Sequence, residues 1–246
     1  MIAISTMLPD GRARGAPFVL VHGAANSALV WTFWQRELAA RGHISHAIDL
    51  RGHGHSSACD LSRTSMQDYA DDLLAFLATL AAPPVLAGWS MGGLVAMLAA
   101  QRTTVRAIVG LAPSTPARRR DESVELRTGE FDATEYGVRL DDAGPQAAMY
   151  DLDAEERLLA LASCGRESRY ARDERAAGVV VESLPCPLLI VTSTADDQWP
   201  RSRYDGLHLA AEHLSVDGAS HWGLVLNRRA VASLVPDVLR WAQGRR

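Results

Sequence analysis

Ser90 stands between two glycines in Gly88-Trp89-Ser90-Met91-Gly92, a spacing that can turn an ordinary hydroxyl into a nucleophile. An apolar run, Pro84 to Ala87, precedes it, and an alanine- and leucine-rich stretch, Gly93 to Ala100, follows. The pattern predicts a strand ending at Ala87, a tight reversal, and then a helix. Glycine on both sides permits a reversal that a Cβ would obstruct. Ser90 would then occupy the apex in a strained conformation, pushed outward over the positive end of the helix. The same five residues also suit a plain strand-to-helix turn, so the catalytic reading depends on partners elsewhere in the chain.

A serine hydroxyl needs a base within hydrogen-bond reach, and the base needs an acid to fix its tautomer. Asp196 and His221 each follow a later predicted strand, which gives the chain order Ser90, Asp196, His221. His221 ends the small-residue loop Gly218-Ala219-Ser220-His221. His43, His46, His208 and His213 follow no buried strand and read as surface or packed residues. Asp197, beside Asp196, is expected to face solvent or a helix N-terminus, and Asp217 is a third candidate acid. The alternative acid position, after the strand that ends at Leu111, holds Ala112-Pro113-Ser114 and carries no carboxylate.

A tetrahedral oxyanion needs two aimed N–H donors. Met91, at the helix start, and Ala24, behind His22-Gly23, are the candidates. His22 itself reads as a structural residue that holds its loop. Trp31, Trp89, Trp199 and Trp222 lie near predicted strand ends and are candidates to line an apolar acyl or alcohol pocket.

These side chains must be positioned by regular elements. Pro17 to Val21, Ile44 to Leu50, Val105 to Leu111, Pro187 to Thr192 and Glu212 to Val216 read as strands. Helices are predicted around Val30 to Arg41, with Trp31, Trp34 and Leu38 on one face, and from a Thr64 or Ser65 cap to about Leu80. The second turns Tyr69, Leu73, Phe76, Leu77 and Leu80 inward. Further helices are expected over Arg201 to Ala211 and Asn227 to Gln243. Alternating strands and helices predict an α/β fold, a mostly parallel central sheet flanked by helices, with reactive groups at the strands' carboxyl ends. From Ser114 to Leu184 the alternation breaks. The composition turns charged, short amphipathic helices fit, and Leu158, Leu159 and Leu161 carry the best apolar stripe. The predicted division is a core of 1–113 and 185–246 and a helical cap of 114–184, a lid over the sheet's carboxyl edge.

The 246 residues are 48% apolar, enough for one sizeable core. A net charge of -4 argues against a general nucleic-acid binder. There is no apolar run of about 20 residues to span a membrane. The first ten residues lack the basic and apolar regions of a secretory signal. Cys59, Cys164 and Cys186 are odd in number and far apart, which predicts neither a disulfide frame nor a zinc knuckle, and a reducing cytoplasm is the expected setting. Arg118-Arg119-Arg120 is followed by acids and reads as a solvated face.

Four features occur in order: Val21-His22-Gly23, Asp49-Leu50-Arg51-Gly52-His53-Gly54-His55-Ser56, Gly88-Trp89-Ser90-Met91-Gly92-Gly93, and Gly218-Ala219-Ser220-His221. Together they resemble the α/β-hydrolase superfamily, in its compact bacterial form with a helical cap, over roughly Phe18 to Trp241. The resemblance implies a triad of Ser90, Asp196 and His221, an oxyanion hole at Ala24 and Met91, and neither metal nor organic cofactor. It also implies that the loop holding His53-x-His55, which has the spacing of a metal pair, is structural. Ser193 stands where the family usually has glycine before the acid. Ala24 is small where a bulky residue is common, which leaves room beside the oxyanion.

Serine at this place excludes the family's aspartate-dependent dehalogenases and epoxide hydrolases. The expected activity is hydrolysis of carboxylic esters or lactones of small to medium apolar substrates through an acyl-enzyme. The alternatives are carbon–carbon cleavage of ring-fission diketones by the same triad, perhydrolysis as a side activity, and a slow-turnover ligand-binding signalling protein. The expected partner is a small-molecule ester, with the chain a monomer or homodimer.

Overall fold

Every residue of the run Phe18–Val21 is apolar, and it forms β2 (Phe18–Val21), buried along its whole length inside a seven-stranded sheet. The computed structural model describes residues 1–244. The other strands of this sheet are β1 (Ala3–Met7), β3 (Ser45–Asp49), β4 (Val85–Trp89), β5 (Ala107–Leu111), β8 (Leu188–Ser193) and β9 (Glu212–Val216). Their order is β1-β3-β2-β4-β5-β8-β9. All neighbours are parallel except β1 against β3. A separate antiparallel pair joins β6 (Glu130–Asp132) to β7 (Arg166–Ser168).

Alternation along the strands divides the core in two. Phe18, Leu20, Ala87 and Val109 pack on one face with α1 (Thr32–Ala40), α6 (Gly223–Leu226) and α7 (Arg228–Gln243). Val19, Val21, Leu86 and Ile108 pack on the other with α2 (Met66–Leu77) and α3 (Met91–Ala100). Fully burying each large apolar side chain contributes about 1.5–3 kcal/mol. Ser65 starts α2 with a reciprocal capping box to Asp68. All ten residues of α3 are buried, as expected of a helix that is apolar all round.

Residues 112–187 lie between β5 and β8. They carry the β6–β7 pair, two short 3-10 turns, α4 (Ala154–Ser163) and α5 (Arg169–Ala177). A capping box between Asp153 and Glu156 starts α4. Ser168 caps α5 by accepting from the Ala171 amide.

Several sequence expectations need correction. The helix expected over Arg201 to Ala211 is only a 3-10 turn at Arg201–Tyr204, because Asp205 turns extended and Gly206 takes φ 77°. Strand β1 went unforeseen; as an edge strand with three of five residues exposed, it lacks the apolar run that marks the central strands. In α4, Leu158 is exposed and the buried positions are Glu156, Ala160 and Ser163, since the helix seats its narrow face inward. Among the described residues, no helix is long and apolar enough to cross a membrane.

The turn between β4 and α3 depends on close backbone approach. A Cβ on Gly92 would lie 2.2 Å from the Val21 carbonyl oxygen, and one on Gly88 would lie 2.3 Å from the Gly92 carbonyl oxygen. Both obstacles are main chain and cannot rotate away. Gly92→Ala is therefore expected to destabilise the fold by about 3 kcal/mol, at the upper end of overpacking costs. In a thermal melt that is a fall in Tm of roughly 6–12 °C; an unchanged Tm would show that the turn has slack.

Candidate active site

Ser90 follows β4 and precedes α3 with φ 53° and ψ −119°, a conformation that an L-residue holds only under constraint. Three hydrogen bonds supply that constraint. The Ser90 amide donates to the Leu111 carbonyl at 2.9 Å, and its own carbonyl accepts from Ser114 at 2.9 Å and Gly93 at 3.1 Å. The turn thus ties β4, β5 and α3 together at the hydroxyl-bearing residue.

Asp196 lies three residues beyond β8 and is buried. Its Oδ2 is 2.7 Å from His221 Nδ1, and its Oδ1 accepts from the amides of Gln198 at 3.1 Å and Trp199 at 3.0 Å. Burial pushes the carboxyl upward, but the imidazole and the two amides outweigh it and hold Asp196 below the usual carboxylate range. A carboxylate facing Nδ1 requires the proton there, which leaves the His221 Nε2 lone pair free as a base. The His221 carbonyl accepts from Trp89 Nε1 at 3.1 Å, and the Trp199 ring lies stacked 6.2 Å from the imidazole. Asp197 and Asp217 are exposed. Asp217 accepts instead from the Thr194 hydroxyl at 3.3 Å.

Ser90, Asp196 and His221 line one cavity of about 380 Å³, together with Ala24. Met91 is the first residue of α3, so its amide has no acceptor in its own helix. The Ala24 amide has no protein acceptor among the described residues.

Of the four tryptophans expected to line a pocket, Trp89, Trp199 and Trp222 face this cavity. Trp31 does not, and that expectation is corrected. It is fully buried with its ring edge-on to Trp34 at 5.7 Å, because the 3-10 turn Ala28–Trp31 leads into α1 and puts it on the same inward side as the residue three positions on.

The loop after β2 is held from two sides. His22 is fully buried, with Nδ1 donating to the Gly23 carbonyl at 2.8 Å and Nε2 accepting from the Leu50 amide at 3.1 Å. Desolvation, then the neighbouring His53, lower its pKa to about 4, so the ring is neutral. From the other side, residues 112–187 reach in. Ser163 donates to Asn26 Oδ1 at 2.7 Å, Asn26 donates to the Ala24 carbonyl at 2.8 Å, and Gly165 donates to the Ala25 carbonyl at 2.9 Å.

Glu167 completes this grip. It is fully buried and accepts from the Ala25 amide at 3.0 Å, the Tyr69 hydroxyl at 2.5 Å and the Ser168 amide at 2.7 Å. Its Oε2 lies 3.5 Å from His53 Nε2. Burial opposes its charge, yet His53 and the hydrogen bonds prevail and bring its pKa to about 2. His53, although desolvated, is held above its ordinary value by Glu167. Its neighbour in the His53-x-His55 pair is exposed, so the two rings do not converge on a common site.

Sequence reasoning did not find Asn26, Tyr136, Tyr150, Glu167 or Arg175. The last four lie in the stretch with no strand pattern, where neither motif nor spacing marks a site. Tyr150 directs its hydroxyl at the carbonyls of Ala195 and Gly218, both at 3.3 Å, and so touches the loops of both Asp196 and His221.

A parallel sheet with a strained serine after β4, a carboxylate after β8 and an imidazole after β9 defines a class of protein. The sequence profile of the alpha/beta hydrolase family matches residues 18–234, and the chain belongs to that family. It is 33% identical to pimeloyl-[acyl-carrier protein] methyl ester esterase of Serratia marcescens over 174 residues, 69% of this chain and 60% of that protein. It is 36% identical to Methylesterase 7 of Arabidopsis thaliana over 104 residues, 40% of each chain. The chain thus spans less than two thirds of the curated relatives it matches. In fold it is similar to a thermophilic esterase from Thermogutta terrifontis, with TM-score 0.68, 20% identity, and 98% and 93% of the two chains covered. It is likewise similar to polyneuridine aldehyde esterase, with TM-score 0.71, 20% identity, and 92% and 100% covered.

The buried histidines set an acid limit on stability. Because the folded pKa of His22 is about 4, below the ordinary 6.5 of an unfolded chain, its contribution is complete above pH 6.5 and is lost as pH falls toward 4. That shift corresponds to about 3 kcal/mol. His53, shifted the other way, contributes fully throughout this window. The buried His43, the half-buried His46 and the exposed His213 are shifted in the same direction as His22. Tm measured from pH 7 to pH 4 is expected to fall steeply in the wild type and less steeply in His22→Gln; parallel curves would remove His22 from this role.

Proposed function

We propose that the protein is a serine hydrolase that cleaves carboxylic esters or lactones of small to medium, largely apolar substrates through an acyl-enzyme. The observation that carries the reading is the 2.7 Å contact between His221 Nδ1 and Asp196 Oδ2, on the wall of the cavity that Ser90 also lines. Relatives named as methyl esterases support a small alcohol as leaving group. Residues 114–184 would serve as the cap.

In this mechanism His221 Nε2 takes the Ser90 hydroxyl proton as Oγ bonds to the ester carbonyl carbon. The negative charge moves to the carbonyl oxygen, where the amides of Ala24 and Met91 would receive it. Asp196 keeps the imidazole in its tautomer and stabilises the imidazolium. Collapse breaks the bond to the alcohol oxygen, which leaves with the proton from His221. Water, deprotonated by the same nitrogen, then adds to the acyl carbon, and the acid is released as Ser90 regains its proton. Trp89, Trp199 and Trp222 would enclose the acyl chain.

Turnover of short-chain p-nitrophenyl esters is expected to fall by about 10⁴-fold or more in Ser90→Ala, and by about 10⁴-fold in Asp196→Asn. Circular dichroism should show both variants folded. A rate unaffected by Ser90→Ala would falsify the assignment.

A further inference from the structure

Arg175 is the one charged side chain of α5 that lacks an oppositely charged or backbone-amide partner among the described residues. Arg169 and Arg172 both pair with Glu135. Asp173 receives a two-pronged contact from Arg127, at 2.9 and 2.7 Å. Glu174 accepts from the Met66 amide at 2.7 Å, which fixes α5 against the start of α2. Arg175 donates only to neutral oxygens, the Ala171 carbonyl at 3.4 Å and the Tyr136 hydroxyl at 3.3 Å. It is half-buried, and with Tyr136 it lines the cavity that holds Ser90 and His221.

Among the described residues, no carboxylate makes an ion-pair contact with this guanidinium. Glu167 is a buried carboxylate that acts on it electrostatically, but Glu167 also faces His53 and accepts three hydrogen bonds. Asp196 is committed to His221. Asp197 also borders the cavity, at its exposed rim. The rest of the wall is mostly alanine and aromatic rings, with the neutral side chains of Asn26, Gln198 and Ser220. A guanidinium has five N–H donors, and Arg175 uses two on protein, so three remain for a ligand. Because Tyr136 accepts from Arg175, its own hydroxyl proton is free to be donated. The Tyr136 ring is fixed edge-on to Phe131 at 5.6 Å and beneath the Arg172 guanidinium at 5.4 Å. The two donors are adjacent and rigidly backed.

We propose that Arg175 and Tyr136 form a carboxylate subsite, so that the preferred substrates are half-esters, with an ester at Ser90 and a free carboxylate at the far end of the acyl chain. A planar fork matches two carboxylate oxygens better than it matches any neutral group, and the partial burial of Arg175 strengthens the contact. The inference rests on the esterase reading for its substrate class, although the anion subsite itself stands on the geometry of α5.

The test compares monomethyl succinate, adipate and suberate with methyl butanoate, hexanoate and octanoate, their uncharged counterparts of equal chain length. The wild type is expected to favour the half-ester, by kcat/KM, roughly 10- to 100-fold at its best length. Arg175→Met should collapse that ratio at least tenfold, mainly through KM, and Arg175→Lys should restore part of it. Equal kcat/KM for charged and neutral esters at every length would overturn the proposal, as would a ratio unchanged in Arg175→Met.

If the variants do not fold, inhibition of the wild type decides. Adipate should compete with methyl hexanoate and adipamide should not; equal inhibition overturns the subsite. If no ester is turned over at all, the hydrolase reading fails, and the subsite is read separately by titrating adipate against the tryptophan fluorescence of wild type and Arg175→Met. Binding lost in the variant supports the subsite, and no binding to the wild type sinks it.

Discussion

Ser90 keeps its positive φ because chain segments cross beneath it with no β-carbon between them. Gly88 and Gly92 let the start of α3 approach the carbonyl of Val21 and the end of β4, and Gly93 meets Pro113. Those contacts place the serine where β4, β5 and the loop after β2 come together at the sheet's carboxyl edge. The first amides of α3 and the loop at Ala24 therefore lie beside the hydroxyl as a consequence of the backbone crossing. Strain of about 1–3 kcal/mol at one residue is offset by three hydrogen bonds and the burial of the whole of α3.

The segment between β5 and β8 does more than cover an edge. Ser163, Gly165 and Glu167 all grip the loop at Ala24 to Asn26, so the candidate oxyanion donor is held by residues more than a hundred positions downstream. Glu167 makes the grip electrostatic. A buried carboxylate is costly unless it is paired and hydrogen-bonded, and here His53 from the β3 loop, the Tyr69 hydroxyl and two amides satisfy it. The motif loop Asp49 to Ser56 thereby acquires a structural purpose. It carries the His53 imidazole that faces the acid the inserted segment buries beside the site.

The same network accounts for the electrostatic character of the cavity. His221 and Asp196 form one pair and His53 and Glu167 another, both largely removed from solvent. Arg175 lines the same cavity with no carboxylate in ion-pair contact, donating only to the Ala171 carbonyl and the Tyr136 hydroxyl.

Much of this molecule could be read before any coordinates. Unbroken apolar runs specify strands buried on both faces, glycine flanks specify the turn at Ser90, and the order of Ser90, Asp196 and His221 follows from which strand each residue ends. Local chemistry decides those features, so one dimension is enough. Trp31 shows the limit: proximity to a strand end suggested a cavity, while its helical spacing with Trp34 drew it into the core. Strand β1, the short turn at Arg201–Tyr204 and the exposure of Leu158 escaped for similar reasons, since edge pairing and helix facing depend on what packs alongside. Only the tertiary structure decided that Glu167 reaches the Ala25 amide and that Arg175 shares a cavity with Ser90. The partners of a buried charge are chosen by three-dimensional neighbours, and no spacing along the chain encodes them.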